Sequence, residues 1–194
     1  GVTFDADGNL LVAVAGSEAK QRGYYRVRHG APVQSIAGSL AGDVRVVDGT
    51  VLDGVAVGAD EWLGLATRTI TVMPEGTGKR DLFGWALPQF GKVSMSRSAG
   101  GGWLKPKNVA MDARLNGGHR PIVNIGVWES VMPLDILPTF LVRAIQANDL
   151  DEALKLGLLE VTEEDVALCT FVDPCKIDVG EVIRQGLDMY EKEG

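Results

Sequence analysis

The sequence predicts an α+β protein in which a small β domain precedes a helical bundle, and three observations carry this prediction. Residues 1–130 hold 21 of the 25 glycines, whereas residues 131–194 hold four. Charge divides at the same place, with a net +2 before it (14 Lys/Arg against 12 Asp/Glu) and a net −9 after it (5 against 14). Short strand patterns fill the first 75 residues, whereas helix start signals recur after residue 131.

Five strands are predicted in the first 75 residues by short apolar or β-branched runs that end at turn residues. Thr67, Thr69 and Thr71 alternate with Arg68, Ile70 and Val72 in strict period two, which is typical of a strand. Asp48-Gly49 and Asp53-Gly54 are turn dipeptides. The predicted strands are 10–14, 24–28, 43–47, 50–57 (interrupted at Asp53-Gly54) and 67–72. We therefore expect a small twisted β domain over residues 1–75.

Residues 76–130 form a Gly-rich basic segment. Over residues 74–121 eight Lys/Arg oppose three acids, a net charge of +5. Prolines at 88, 106 and 121 exclude a long helix. Strand-like pieces remain at 92–96 and 121–128, so loops with short strands are expected. Long loops that persist in a compact domain are usually functional or interfacial.

Residues 131–194 predict a small bundle of short helices. A helix is expected over 138–146. Asp149 with Glu152 resembles a capping box for a second helix, which Gly157 ends. Further start signals are 162–165 (TEED) and Asp178 with Glu181. The predicted buried side chains are Phe140, Leu141, Ala144 and Ile145 on the first helix, and Val179, Val182, Ile183, Leu187 and Tyr190 on the last.

Several functional classes are excluded by the sequence. The longest apolar run has six residues (10–15), whereas a membrane-spanning helix needs about 20. Gly78-Lys79 lacks the other Walker residues, and neither G-x-G-x-x-G nor G-x-S-x-G occurs. The acidic half argues against a nucleic-acid partner. His29 and His119 are expected to be structural or surface residues. Because the sequence opens on Gly1 without Met or a signal peptide, we expect a fragment of a longer chain.

Cys169 and Cys175 are the two cysteines, too few for a disulfide scaffold or a four-thiolate iron–sulfur cluster. A reducing compartment is therefore expected. Cys169 is predicted to pack as a small apolar side chain, and a residual thiol role of the two residues is the alternative.

Several motifs, in order along the chain, resemble a known family. They are 43–47 (DVRVV), 49–54 (GTVLDG), 81–88 (DLFGWALP), 131–135 (VMPLD), 163–172 (EEDVALCTFV) and the ending 191–194 (EKEG). Together they resemble the C-terminal part of the A subunit of Na⁺-translocating NADH:quinone reductases, across nearly all of the chain. One position departs from the family pattern, because Asp173 stands directly before Pro174 where the family typically has Cys.

The resemblance implies a fold and a setting. It implies a soluble-ligand-binding β-grasp domain over 1–75 and, over 131–194, a helical domain that has lost the cluster of its relatives. The protein would be soluble and peripheral, bound at the cytoplasmic face of the bacterial inner membrane. The complex is a respiratory sodium pump that couples NADH oxidation by quinone to Na⁺ export. No cofactor is expected in this part, since the flavins and the iron–sulfur centre belong to partner subunits.

Two roles within that complex are expected from the basic middle segment. Lys105, Lys107 and Arg114 would dock a membrane subunit or an anionic lipid surface. Phe83, Gly84, Trp85 and Trp103 would contact a quinone ring, or else the aromatic residues anchor their loop. The alternative function is a small-ligand-binding β-grasp module without an enzymatic role. A sodium site at Asp135 and 163–165 is rejected, because helix capping explains three of these four acids.

Overall fold

The computed structural model describes residues 8–38, 42–77, 111–120 and 126–193, and these residues have an α+β architecture. The chain divides into two compact units, Gly1–Arg114 and Leu115–Gly194. This division falls inside the predicted middle segment, and the predicted domain limits at 75 and 130 stay predictions. Each unit has a hydrophobic core of its own, so the two are described separately.

The first unit contains a mixed sheet, and its described strands follow the order β2-β1-β5-β3-β4. β1 and β5 are parallel, whereas β1–β2, β3–β5 and β3–β4 are antiparallel. The strands are β1 (Asn9–Ala15), β2 (Gly23–Arg28), β3 (Val44–Asp48), β4 (Val55–Val57) and β5 (Thr69–Pro74). The predictions for β1, β2, β3 and β5 are confirmed to within two residues. This arrangement places β5 near the centre, between β1 and β3.

The fourth predicted strand is wrong in its first half, because the strand begins only at Val55. Residues before it form a turn in which Asp53 Oδ1 accepts a hydrogen bond from the Thr50 N–H at 3.0 Å. The Gly54 N–H donates to the Thr50 carbonyl, also at 3.0 Å. Asp side chains favour such local bonds over a strand ladder. The Asp53-Gly54 signal therefore marks the turn itself rather than a break within a strand.

A short helix, α1 (Val33–Ala37), was not expected from the sequence. Its Val33, Ile36 and Ala37 pack with Leu10, Val12 and Val14 of β1 in the first core. Five residues are too few for helical periodicity to be visible, and so short a helix depends on tertiary packing. α1 therefore covers one face of the sheet, the face formed by the even-numbered residues of β1, β3 and β5.

The second unit is helical in its described residues. Its elements are α2 (Pro138–Gln146), α3 (Leu150–Lys155), a 3₁₀ turn (Leu158–Glu160), α4 (Ala167–Val172) and α5 (Val179–Glu193). Two predicted caps are confirmed: Asp149 accepts from the Glu152 N–H at 3.0 Å, and Asp178 accepts from the Glu181 N–H at 3.1 Å. Each carboxylate satisfies a helix N–H that would otherwise lack a partner.

Three predictions in the second unit need correction. Thr162 and Asp165 bond each other in a turn, and α4 begins only at Ala167. Phe140 and Tyr190 are exposed rather than buried, because no described side chain covers the part of the apolar helix face on which each of them lies. The described end of the predicted strand 121–128 is a turn at 126–128, and Trp128 lies in the core. The predicted strand 92–96 and residues 121–125 lie outside the described residues.

Candidate functional site

Most of the predicted site residues lie outside the described part of the chain. These are Phe83, Gly84, Trp85, Trp103, Lys105 and Lys107. Their expected roles in docking and quinone contact therefore stay predictions. Arg114, Cys169 and Cys175 are described, and Arg114 lies in the first unit whereas the cysteines lie in the second.

The described residues on either side of 78–110 lie together at the end of β5. The Ala113 N–H donates to the Pro74 carbonyl at 3.1 Å, and the Glu75 N–H donates to the Asp43 carbonyl at 2.9 Å. The Thr77 N–H donates to Asp43 Oδ2 at 2.9 Å. Residues 75–77 and 113 therefore lie together beside the end of β5.

Two ion pairs lie at this end of the sheet. The Arg45 guanidinium donates to both carboxylate oxygens of Glu75, with 2.7 Å between Nε and Oε2. This hydrogen bonding raises the pKa of Arg45. Arg114 Nε donates to Asp112 Oδ2 at 2.8 Å. The Arg114 side chain also crosses Gly76, where an added Cβ would lie 2.6 Å from Arg114 Cγ. The contacts of Arg114 are therefore those of an anchoring residue.

A pocket of about 330 Å³ opens on the sheet face opposite α1. Its floor is formed by the odd-numbered residues of β5, because alternate strand residues point to opposite faces. It is lined by Ala15, Gly16, Ser17, Thr50, Val51, Thr69, Thr71, Met73 and Met111. Met111 belongs to the described segment whose Ala113 N–H bonds the Pro74 carbonyl, so the pocket lies near the end of β5.

The chemistry of the pocket is uncharged. None of its nine lining residues is ionisable, and the Thr71 hydroxyl already donates to the Gly49 carbonyl at 2.7 Å. Met73 and Met111 bring flexible thioethers that adapt to irregular shapes. Its size is at the lower end of the range for small-molecule sites. Among the described residues, the arrangement suits a small, neutral, mainly apolar ligand, since none of those that line the pocket supplies a counter-charge for a phosphate or carboxylate.

Both cysteines of the second unit are buried, free thiols. The Cys169 S–H donates to the Trp128 carbonyl at 3.9 Å. Burial, reinforced by the negative charge of Glu129, raises the pKa of Cys169 to about 11. Because the thiolate is the reactive form, Cys169 is held in its unreactive form at neutral pH. This agrees with the predicted packing role of Cys169.

Raising the pH from about 9 to about 11 is expected to lower the free energy of unfolding of the second unit by about 2 kcal/mol. The pKa of Cys169 is higher in the folded state. The stability that the protonated Cys169 thiol contributes to the folded state is therefore complete below the unfolded-state pKa. It is lost as the pH rises through the folded-state pKa. Urea unfolding at stepped pH measures this loss. Cys169→Ala should remove this part of the pH dependence of unfolding, whereas Cys175→Ala should retain it. Equal pH dependence of C169A and the parent protein would contradict the prediction.

Asp173, the residue directly before Pro174, serves the local turn. Its side chain is buried, and Oδ2 accepts from the Ile177 N–H at 2.8 Å. Its own N–H donates to the Cys169 carbonyl at 3.1 Å. Asp173 thereby ties the end of α4 to the segment that leads into α5. Its other oxygen, Oδ1, is buried without a hydrogen-bond partner among the described residues.

Glu129 caps α2 from a distance, which sequence reasoning missed. Its Oε1 accepts from the Thr139 N–H at 3.2 Å, and the N-cap residue Leu137 supplies no side-chain bond of its own. Burial pushes the pKa of Glu129 up, but hydrogen bonds from Thr139 and backbone N–H groups outweigh it and leave the pKa lowered. A capping group ten residues before its helix lies outside the local capping pattern.

Neither a metal site nor a membrane-spanning helix is found among the described residues. Within 8–38, 42–77, 111–120 and 126–193, no three His, Cys, Asp or Glu side chains are grouped so as to hold a metal ion. None of the helices in these ranges is long and apolar enough to cross a bilayer. His29 and His119 are both exposed, as expected for surface histidines.

Comparison with known proteins gives consistent matches. The family model of the NQRA C-terminal domain matches residues 11–58. The A subunit of the Na(+)-translocating NADH-quinone reductase of Neisseria gonorrhoeae (strain NCCP11945) is 45% identical over 100% of this chain and 44% of its own length. The protein of the same name from Serratia proteamaculans (strain 568) is 44% identical over 99% of this chain and 43% of its own length.

The match is uniform among these relatives. The corresponding protein of Mannheimia succiniciproducens is 46% identical over 95% of this chain and 42% of its own length. The chain therefore spans less than half the length of the relatives it matches. From this identity along its whole length, the chain belongs to the family of A subunits of Na⁺-translocating NADH:quinone reductases.

Proposed function

We propose that this chain works as the C-terminal part of the A subunit in a respiratory sodium pump that couples NADH oxidation by quinone to Na⁺ export. The observation that carries the proposal is the 45% identity over the full chain to a protein of that name. The role of this part is mainly in assembly with the other subunits, membrane subunits above all. Flavins and an iron–sulfur centre would reside in those partners.

The fold and the setting follow from the same proposal. The mixed five-stranded sheet, with α1 packed on one face, is consistent with a β-grasp domain. The protein would be peripheral, at the cytoplasmic face of the bacterial inner membrane. Lys105 and Lys107, which lie outside the described residues, would then contact a partner.

Replacing Lys105 and Lys107 together by Ala is expected to reduce co-purification of the remaining subunits with the full-length A subunit, by about tenfold at low salt. Basic side chains gain from acidic partner surfaces or anionic lipid, and that gain is lost without their charge. Arg114→Ala is the structural control, because its ion pair with Asp112 should make it lower the melting temperature instead. Unchanged co-purification of the double Lys variant would remove this docking site, whereas failure of the parent protein to co-purify would reject the proposed function.

A second role, binding of the quinone or another small neutral molecule, is favoured by the uncharged pocket beside Met111. A quinone ring is flat, neutral and mainly apolar, which fits the lining described above. A β-grasp module that binds a different small ligand without an enzymatic role is the alternative. A thermal-shift series with short-chain quinones and other neutral ligands separates them, because a bound ligand raises the melting temperature.

Thr69→Leu is expected to weaken binding of a short-chain ubiquinone about tenfold by filling the pocket without removing a described hydrogen bond. Val55→Leu is the matched control, since Val55 is an exposed strand residue outside the pocket. Binding is measured by titration and by photo-crosslinking with an azido-quinone. Absence of label on this chain, or equal affinity of both variants, would contradict the quinone role.

A further inference from the structure

β2 is an edge strand of the sheet in the first unit. It pairs along its whole length with β1, from Asn9 opposite Arg28 to Val14 opposite Gly23. In the described sheet it has no neighbour on its other side. Alternate residues of an edge strand direct their N–H and C=O groups outward, where another extended chain can bond to them. Six residues are long enough to pair with an added strand.

The segment that contains β2 is strongly basic. Residues 20–29 include Lys20, Arg22, Arg26 and Arg28 and no acid, a net charge of +4. All four side chains are exposed. Among the described residues, Arg26 and Arg28 have no carboxylate partner, whereas Arg45 and Arg184 in the same chain are ion-paired. The charge of this edge is therefore not neutralised by described residues of the chain.

The arginines share one sheet face with an exposed aromatic ring. Tyr24, Arg26 and Arg28 alternate along β2, and Tyr24 is 79% exposed. Opposite Arg26 on β1 stands Leu11, which is 48% exposed. The face thus presents two exposed apolar side chains, Tyr24 and Leu11, next to two cations.

We propose that β2 binds an extended acidic segment of another polypeptide, which adds to the sheet as a further strand. Backbone hydrogen bonds supply affinity in this mode, and side chains at alternate positions supply specificity. The partner carries acids at every second position, opposite Arg26 and Arg28, and an apolar or aromatic residue beside Tyr24. Such opposite-charge pairs across strands are stabilising, whereas a basic segment is repelled. The inference holds for this chain whether or not it assembles into the sodium pump.

The test uses the 194-residue chain and a short synthetic peptide in which Glu alternates with Val. Fluorescence anisotropy at low salt should detect binding, and hydrogen exchange should show slower exchange of the β2 amides. Arg26→Glu with Arg28→Glu should weaken binding about tenfold or more and create affinity for the corresponding Lys–Val peptide. Arg68→Glu, an exposed charge outside β2, is the matched control and should leave binding unchanged.

Two further probes separate strand addition from plain electrostatic attraction. A peptide N-methylated at alternate residues keeps its charge but cannot pair as a strand, so it should not bind. Equal binding of the methylated peptide, or no effect of the double charge reversal, would overturn the proposal. Binding to phosphatidylglycerol vesicles through Arg26 and Arg28, without binding of the acidic peptide, would instead make this face a lipid-binding surface and equally reject strand addition.

Discussion

Replacing Gly16 by Ala is expected to lower the free energy of unfolding of the first unit by about 4 kcal/mol or more. Gly16 follows β1 with φ +107°, a conformation that L side chains rarely adopt, and an added Cβ would lie 1.9 Å from the Val72 carbonyl oxygen. That oxygen cannot easily withdraw, since it accepts the Glu18 N–H at 3.2 Å and belongs to the central strand β5. The clash therefore adds to the backbone strain of about 1 to 3 kcal/mol.

The control for this prediction is Gly30→Ala. Gly30 also has a positive φ, +70°, but no atom lies within 4 Å of an added Cβ. Backbone strain alone should therefore lower the free energy of unfolding of the Gly30→Ala variant by only about 1 to 2 kcal/mol. Urea unfolding followed by circular dichroism compares the two variants. Equal losses would mean that the close approach to Val72 is relieved at no cost, and the prediction would be wrong.

Replacing Trp128 by Ala is expected to cost the second unit about 4 kcal/mol. Trp128 is 1% exposed and the largest fully buried side chain described. It lies among Leu141, Cys169 and other residues of the second core. Its removal leaves a cavity whose walls belong to helices that can relax only partly. Near-ultraviolet circular dichroism should register the loss of the buried indole, and urea unfolding should register the loss of stability.

Two variants make this second prediction specific. Trp62→Ala, at a tryptophan that is 67% exposed, should change stability by no more than about 0.5 kcal/mol. Trp128→Phe should cost less than Trp128→Ala, because the buried Trp128 Nε1–H has no acceptor among the described residues and its removal relieves an unpaired donor. Comparable losses in W128A and W62A would show that Trp128 is not a core residue.

Much of the local structure could be predicted because its causes lie within a few residues. Thr69 and Thr71 alternate with Ile70 and Val72, and that alternation is enough to indicate β5 and its two faces. The Asp178 cap lies three residues from the N–H that it binds. Prediction failed where one local pattern fits two structures. Thr162 and Asp165 were consistent with a helix cap, but they form a turn, and α4 starts two residues after it.

The candidate site could not be predicted in the same way. The motifs at 81–88 and 163–172 pointed to the family, and identity along the full chain confirms it. The pocket, however, combines residues at and after the end of β1, in the β3–β4 turn, on β5 and at Met111. No sequence spacing relates these positions, because they meet only through strand order. The contact of Arg114 with Gly76 could not be predicted either, since the two residues are distant in the sequence.

The sequence by itself determined the family, through the motifs that resemble it. It also determined the α+β class, four strands and two helix caps, since each of these depends on composition, periodicity or a bond across three or four residues. Only the tertiary structure decided α1, the reach of Glu129 to α2 and the close approach of Gly16 to Val72. It also decided which residues on the apolar faces of α2 and α5 are covered by other elements, leaving Phe140 and Tyr190 exposed. The physical reason is that burial and close backbone contact depend on elements distant in the chain, whose pairing no local signal encodes.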